Sequence, residues 1–131
     1  MTGPILIEDE GPQVLPGDGA AVAVPSGQAV TFLDVILNAP GPNGMATRFR
    51  FVAPAIARVG GSVDFDAAAE DMAHLCQNFV LPKLAELGPT PAQVIVSLSD
   101  SDVPFGEAAP EATQFFEAYT IEGNTCIWEA F

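Results

Sequence analysis

Between Asp64 and Leu87, the apolar residues Phe65, Ala69, Met72, Cys76 and Phe79 recur at three- and four-residue steps, with Leu84 closing the series. That spacing predicts a helix with one apolar side. Asp66, Glu70, Asp71, Gln77 and Lys83 fall off the stripe and are expected to face water. Asp64 is placed to cap the helix, and the acids of its first turns suit the positive end of the helix dipole. Gly88-Pro89 ends it. Pro82 has no N–H for the Asn78 carbonyl, which predicts a kink or break near residues 79–81.

Elsewhere the pattern has the two-residue period of strands or is cut short by turn residues. Residues 29–37 are rich in Val, Ile and Phe, interrupted by Asp34. Residues 38–44 carry two prolines and Asn43-Gly44, a loop composition. In 45–52, Met45, Thr47, Phe49 and Phe51 share one face while Arg48 and Arg50 share the other. These two runs predict antiparallel strands, with a short helix starting near Thr31 as the alternative for the first. Residues 93–98 are β-branched and uncharged, the best central strand. Residues 110–116 suit a short helix starting at Pro110, with Phe115 and Phe116 inward. Residues 119–121 and 125–128 flank a turn, predicting a terminal hairpin. Residues 1–24 are Gly/Pro-rich and expected to be extended, with brief edge strands at Ile5-Leu6-Ile7 and 20–24. Residues 25–131 are expected to form one α+β domain. Its core is an antiparallel sheet of four to five strands, the long helix on one face and a second short helix beside it.

A chain of 131 residues with 49% hydrophobic side chains can bury an ordinary core without metal. Its formal charge is −13, from 17 acidic and 4 basic residues. Such a balance repels nucleic-acid phosphates and anionic lipid, so neither is expected as a partner. No run approaches the roughly 18 apolar residues that membrane insertion by a helix needs. No basic, then apolar leader is visible after Met1. Either the protein is cytoplasmic, or a signal is removed and Met1 is not the native start.

The two cysteines are too few for a structural zinc site and too far apart for a C-x-x-C redox pair. Cys76 lies on the helix stripe and Cys126 in a strand expected beside it. A disulfide would tie the last strand to the helix, worth about 4 kcal/mol by loop closure. It would also favour a periplasmic location. The alternative is a pair of buried free thiols. His74 is the lone histidine and, two residues from Cys76, points elsewhere on the helix, so a Cys–His pair is not expected. Ser97 and Ser99 lack a nucleophile-elbow context. Gly60-Gly61 is followed by acids rather than Lys-Ser, which argues against a phosphate cradle. Asp100, Asp102 and Glu107 cluster in an oxygen-rich loop, weak candidates for a metal, without EF-hand spacing. Arg48 and Arg50 are expected to pair with acids such as Asp34, or else to form a partner-docking stripe. Tyr119, Trp128 and Phe131 are expected as core anchors, with exposure the alternative for Phe131.

Five peptides carry a resemblance: Arg48-Phe49-Arg50-Phe51-Val52-Ala53-Pro54, Asp71-Met72-Ala73-His74-Leu75-Cys76, Val103-Pro104-Phe105-Gly106-Glu107, Gln114-Phe115-Phe116-Glu117-Ala118-Tyr119 and Cys126-Ile127-Trp128-Glu129. Over roughly residues 25 to 131 the chain resembles a family of small alphaproteobacterial proteins of unknown function. Some members carry the label acetolactate synthase, but a thiamine-diphosphate enzyme needs a far larger cofactor-binding architecture. The resemblance implies an exported bacterial protein and transfers no activity, cofactor or catalytic residue. The expectation is an acidic binding or accessory module of the cell envelope that meets another envelope protein. A small carboxylate-site, metal-dependent hydrolase is the second expectation.

Overall fold

The computed structural model describes residues 12–41, 44–88 and 90–129; the peptide Ile5-Leu6-Ile7 and Phe131 lie outside them. In chain order the elements begin with β1 (Gln13–Pro16), β2 (Thr31–Gly41), β3 (Gly44–Val52) and a 3-10 turn at Pro54–Ile56. The helical stretch follows: α1 (Phe65–Leu75), a π-helical turn at Cys76–Val80, and α2 (Leu81–Leu87). Then come β4 (Gln93–Ser99), β5 (Gln114–Glu122) and β6 (Thr125–Glu129).

The Asp64 carboxylate accepts from the Ala67 N–H at 2.9 Å, capping α1 as its position predicts. The break falls slightly earlier than expected. Pro82 cannot donate, and the chain accommodates it with a wider turn in which the Leu81 N–H reaches back five residues to the Cys76 carbonyl. Gly61 lies so close to the Ala55 and Ala57 carbonyls that a Cβ would meet them at 2.6 and 2.1 Å, so only glycine fits the approach to the helix.

The strands form a single six-stranded sheet in sequence order, β1-β2-β3-β4-β5-β6. This corrects the expected antiparallel sheet of four to five strands. Pairing is antiparallel except between β3 and β4, which are parallel, so the sheet is mixed. A helical connection of this length carries the chain back to the end from which β3 started, so β4 must run in the same direction. The expected second helix at 110–116 is also corrected: residues from Gln114 onward are β5, and the protein is mostly β with one interrupted helix. Adjacent Phe115 and Phe116 are both partly buried because the strand has packed residues on both faces, a pattern that periodicity cannot separate from a helix. β1 falls within the segment expected to be merely extended, pairing Gln13–Pro16 with Leu37–Asp34 as an edge strand. The terminal hairpin turns on Gly123 (φ 62°) and Asn124.

One face of the sheet packs on the helix. Phe32, Val35, Phe49, Phe51, Val94, Val96, Leu98 and Tyr119 meet Ala68, Met72, Leu75, Cys76, Val80 and Leu84 there. The buried side of α1 is therefore rotated from the expected stripe, and Phe65 is left 45% exposed. Asp71, expected in water, is fully buried. It accepts from the Ser26 N–H at 2.9 Å, from Ser26 Oγ and from Gln28 Nε2 at 2.7 Å, and so ties the 24–30 segment to the helix. The other face holds a smaller cluster of Ala46, Ile95 and Ala118 with Phe116 against it. A bulge at Leu33 shifts the parity of β2: Phe32 and Val35 both face the helix, while Asp34 lands opposite Arg50 on the far face.

Candidate functional site

Arg50 is not free to dock. Its Nε and Nη2 donate to both Asp34 carboxylate oxygens at 2.7 Å, and Nη1 donates to the Val103 carbonyl at 2.8 Å. Its guanidinium also lies 5.8 Å from the Phe105 ring centre. A buried, bidentate ion pair of this kind fastens the 100–107 loop to the sheet. Arg48, two residues back on the same face, lies over the Phe116 ring at 5.2 Å. Its Nε is buried without a partner, and burial together with neighbouring Arg50 lowers its pKa from the ordinary arginine value. At the start of β4, Gln93 is 2% exposed and neither side-chain amide atom has a partner.

The loop acids do not converge. Asp100 lines a cleft of about 500 Å³ with Ser101, Pro110, Glu111, Ala57 and two other small residues, and Asp102 and Glu107 are not among its lining. The Asp100 N–H donates to the Thr113 carbonyl, while its Oδ1 is buried without a partner. Among the described residues, no group of three His, Cys, Asp or Glu side chains is arranged to hold a metal ion. His74 sits beside Asn78, whose amide nitrogen donates to the His74 carbonyl at 3.1 Å and lies 3.2 Å from the ring Nδ1.

Cys76 and Cys126 form a disulfide, with their Cα atoms 6.3 Å apart. Gln77, next in the π turn, doubles this attachment. Its Nε2 donates to the Asn124 carbonyl at 2.6 Å and its Oε1 accepts from the Cys126 N–H at 3.1 Å. The edge strand β6 is thus clamped to the helix at one point by a covalent bond and two hydrogen bonds. Because side chains alternate along a strand, fixing Cys126 toward the helix obliges Trp128 to face the helix too.

That clamp builds one wall of a groove of about 360 Å³, lined by Phe65, Ala69, Glu70 and Ala73 of α1, Glu117 and Tyr119 of β5, and Trp128 of β6. Small Ala69 and Ala73, one helical turn apart, leave room between two large rings. Phe65 is held by an edge-on contact with Phe115, ring centres 5.1 Å apart. Trp128 is 59% exposed and donates its indole N–H to a Glu117 carboxylate oxygen. This corrects the expectation of Trp128 as a core anchor. Tyr119, its cross-strand neighbour, is buried and its hydroxyl has no partner. Burial first, and then the Glu117 carboxylate, push the Tyr119 phenol well above its ordinary value, so it is held neutral. The groove therefore offers aromatic surface and two carboxylates, with the unpartnered Tyr119 hydroxyl buried behind its wall. Arg50 with Asp34 is the only ion pair among the described residues, so Glu70 and Glu117 have no cationic partner among them. Glu117 was not singled out from sequence, although it shares the Phe115 and Tyr119 face of β5.

Fold and groove together define a small, mostly-β domain with one helix, edged by an aromatic and acidic cleft. By sequence, the chain belongs to a family of unknown function, DUF6497, whose model matches residues 9–131. No curated protein and no solved structure matches it.

Proposed function

We propose that this protein is an exported acidic binding or accessory module of the bacterial cell envelope. It takes a basic, partly apolar segment of a partner protein into the groove between α1, β5 and β6. The observation that carries this reading is the exposure of Trp128 and Phe65 across a small-residue floor, between Glu70 and Glu117. Exposed aromatics with a polar rim are the common anatomy of interface anchors. A charge of −13 makes a second copy a poor occupant and a cationic segment a good one. The disulfide supports the envelope assignment, since such bonds persist in oxidising compartments. Binding is preferred to a carboxylate-site hydrolase because Asp102 and Glu107 stand apart from the cleft that Asp100 lines.

The test places a photo-crosslinking amino acid at Ala73, inside the groove, or at Val59, which is 92% exposed and outside it. In cells producing the protein, a discrete adduct from position 73, weakened by salt and absent from 59, is expected. Equal labelling from both positions, or none from 73, refutes the docking reading. Thiol counting on protein denatured without reductant should find no free thiol; two free thiols refute the envelope compartment.

A further inference from the structure

We infer that the group the groove recognises is a lysine side chain of the partner; this rests on the groove being the docking site. Three aromatic residues from three elements, Phe65, Tyr119 and Trp128, line one space with two carboxylates that have no ion-pair partner among the described residues. Aromatic faces attract an alkylammonium through their quadrupoles, most strongly when the cation is partly desolvated. The methylenes of a lysine stem match the apolar floor of Ala69 and Ala73 while the ammonium meets the aromatic faces and the carboxylates.

The Tyr119 hydroxyl adds an independent pointer. It is buried, has no hydrogen-bond partner, and belongs to a residue of the groove's aromatic wall that is only 2% exposed. Buried hydroxyls are ordinarily satisfied, and an unpaired one marks a place where a polar group belongs. A neutral phenol oxygen accepts from an ammonium N–H as readily as it donates to a carbonyl. Lysine fits better than arginine. A guanidinium prefers two free oxygens of one carboxylate, and Glu117 already has one oxygen engaged by the Trp128 indole. Within the protein, Lys83 already lies 6.0 and 5.8 Å from the ring centres of Phe32 and Phe79, the same chemistry in miniature.

Trp128 is the sole tryptophan, so intrinsic fluorescence reads this site alone. The experiment titrates the full-length oxidised protein with a short apolar peptide whose central residue is lysine, norleucine or arginine. A saturable change with the lysine peptide is expected. The norleucine peptide should bind about tenfold more weakly, equivalent to about 1.4 kcal/mol, with the arginine peptide also weaker. Glu117→Gln should weaken lysine binding far more than norleucine binding and so erase the preference for lysine. Loss of both together would mean only structural damage and would overturn the assignment. Norleucine or arginine matching lysine, or no response to lysine, also overturns it. Persistent crosslinking through position 73 in that case leaves the docking reading standing; its loss removes both.

Discussion

Reducing the disulfide is the perturbation whose size the structure defines most directly. The bond closes a loop of 50 residues between Cys76 and Cys126. In the chain-entropy account, releasing such a loop returns about 14 cal/mol/K to the unfolded chain, or about 4 kcal/mol at 25 °C. At about 2.1 cal/mol/K of unfolding entropy per residue, that loss lowers the melting temperature by about 15 °C. The folded state keeps the β5–β6 ladder and both Gln77 bonds, so the reduced protein should still fold at 25 °C. Calorimetry with and without a phosphine reductant measures the shift, and no other cysteine complicates it. The Cys76→Ala/Cys126→Ala double variant should melt with the reduced wild type. A shift below about 3 °C would refute the loop argument. A double variant melting far below the reduced protein would instead place the loss in packing around the fully buried Cys76.

Asp34→Asn leaves Arg50 buried with a neutral partner and should cost about 3–5 kcal/mol in urea unfolding. The double variant Asp34→Leu/Arg50→Met should recover most of that; a cost below about 1 kcal/mol for the single change would mean the pair is not desolvated. Tyr119, the only tyrosine, allows a clean pH test. Its folded pKa is raised above 10.0, so above pH 10 the unfolded chain releases a proton that the native state retains. The unfolded state then binds fewer protons, and stability present below pH 10 should fall as pH rises beyond it. Phenolate absorbance should appear only with unfolding, and Tyr119→Phe should flatten the decline.

Much of the fold was legible where local chemistry is decisive. The Asp64 cap, the uncharged run that becomes the wholly buried β4, and the glycine turn of the last hairpin all follow from residues within a few positions. What stayed hidden depends on partners far along the chain. The parallel pairing of β3 with β4 is a property of the crossover between them. Phe115-Phe116 is ambiguous until both faces of β5 have neighbours. Asp71 reads as a solvent-facing acid because its donors, Ser26 and Gln28, lie more than 40 residues earlier. The groove is assembled from α1, β5 and β6, and none of its residues is unusual within its own segment. The parity link between Cys126 and Trp128 was the one available signal, and it needed the disulfide to give it direction.

The cross-link also determines how the molecule answers to force. A pull on the C-terminal end enters at Cys126 and passes straight to Cys76, so residues 77–125 sit outside the load path as a shielded loop. Stretched end to end, the oxidised chain falls short of the reduced one by about 170 Å of contour. That missing length keeps β4, β5 and α2 out of the stretched path for as long as the bond is intact.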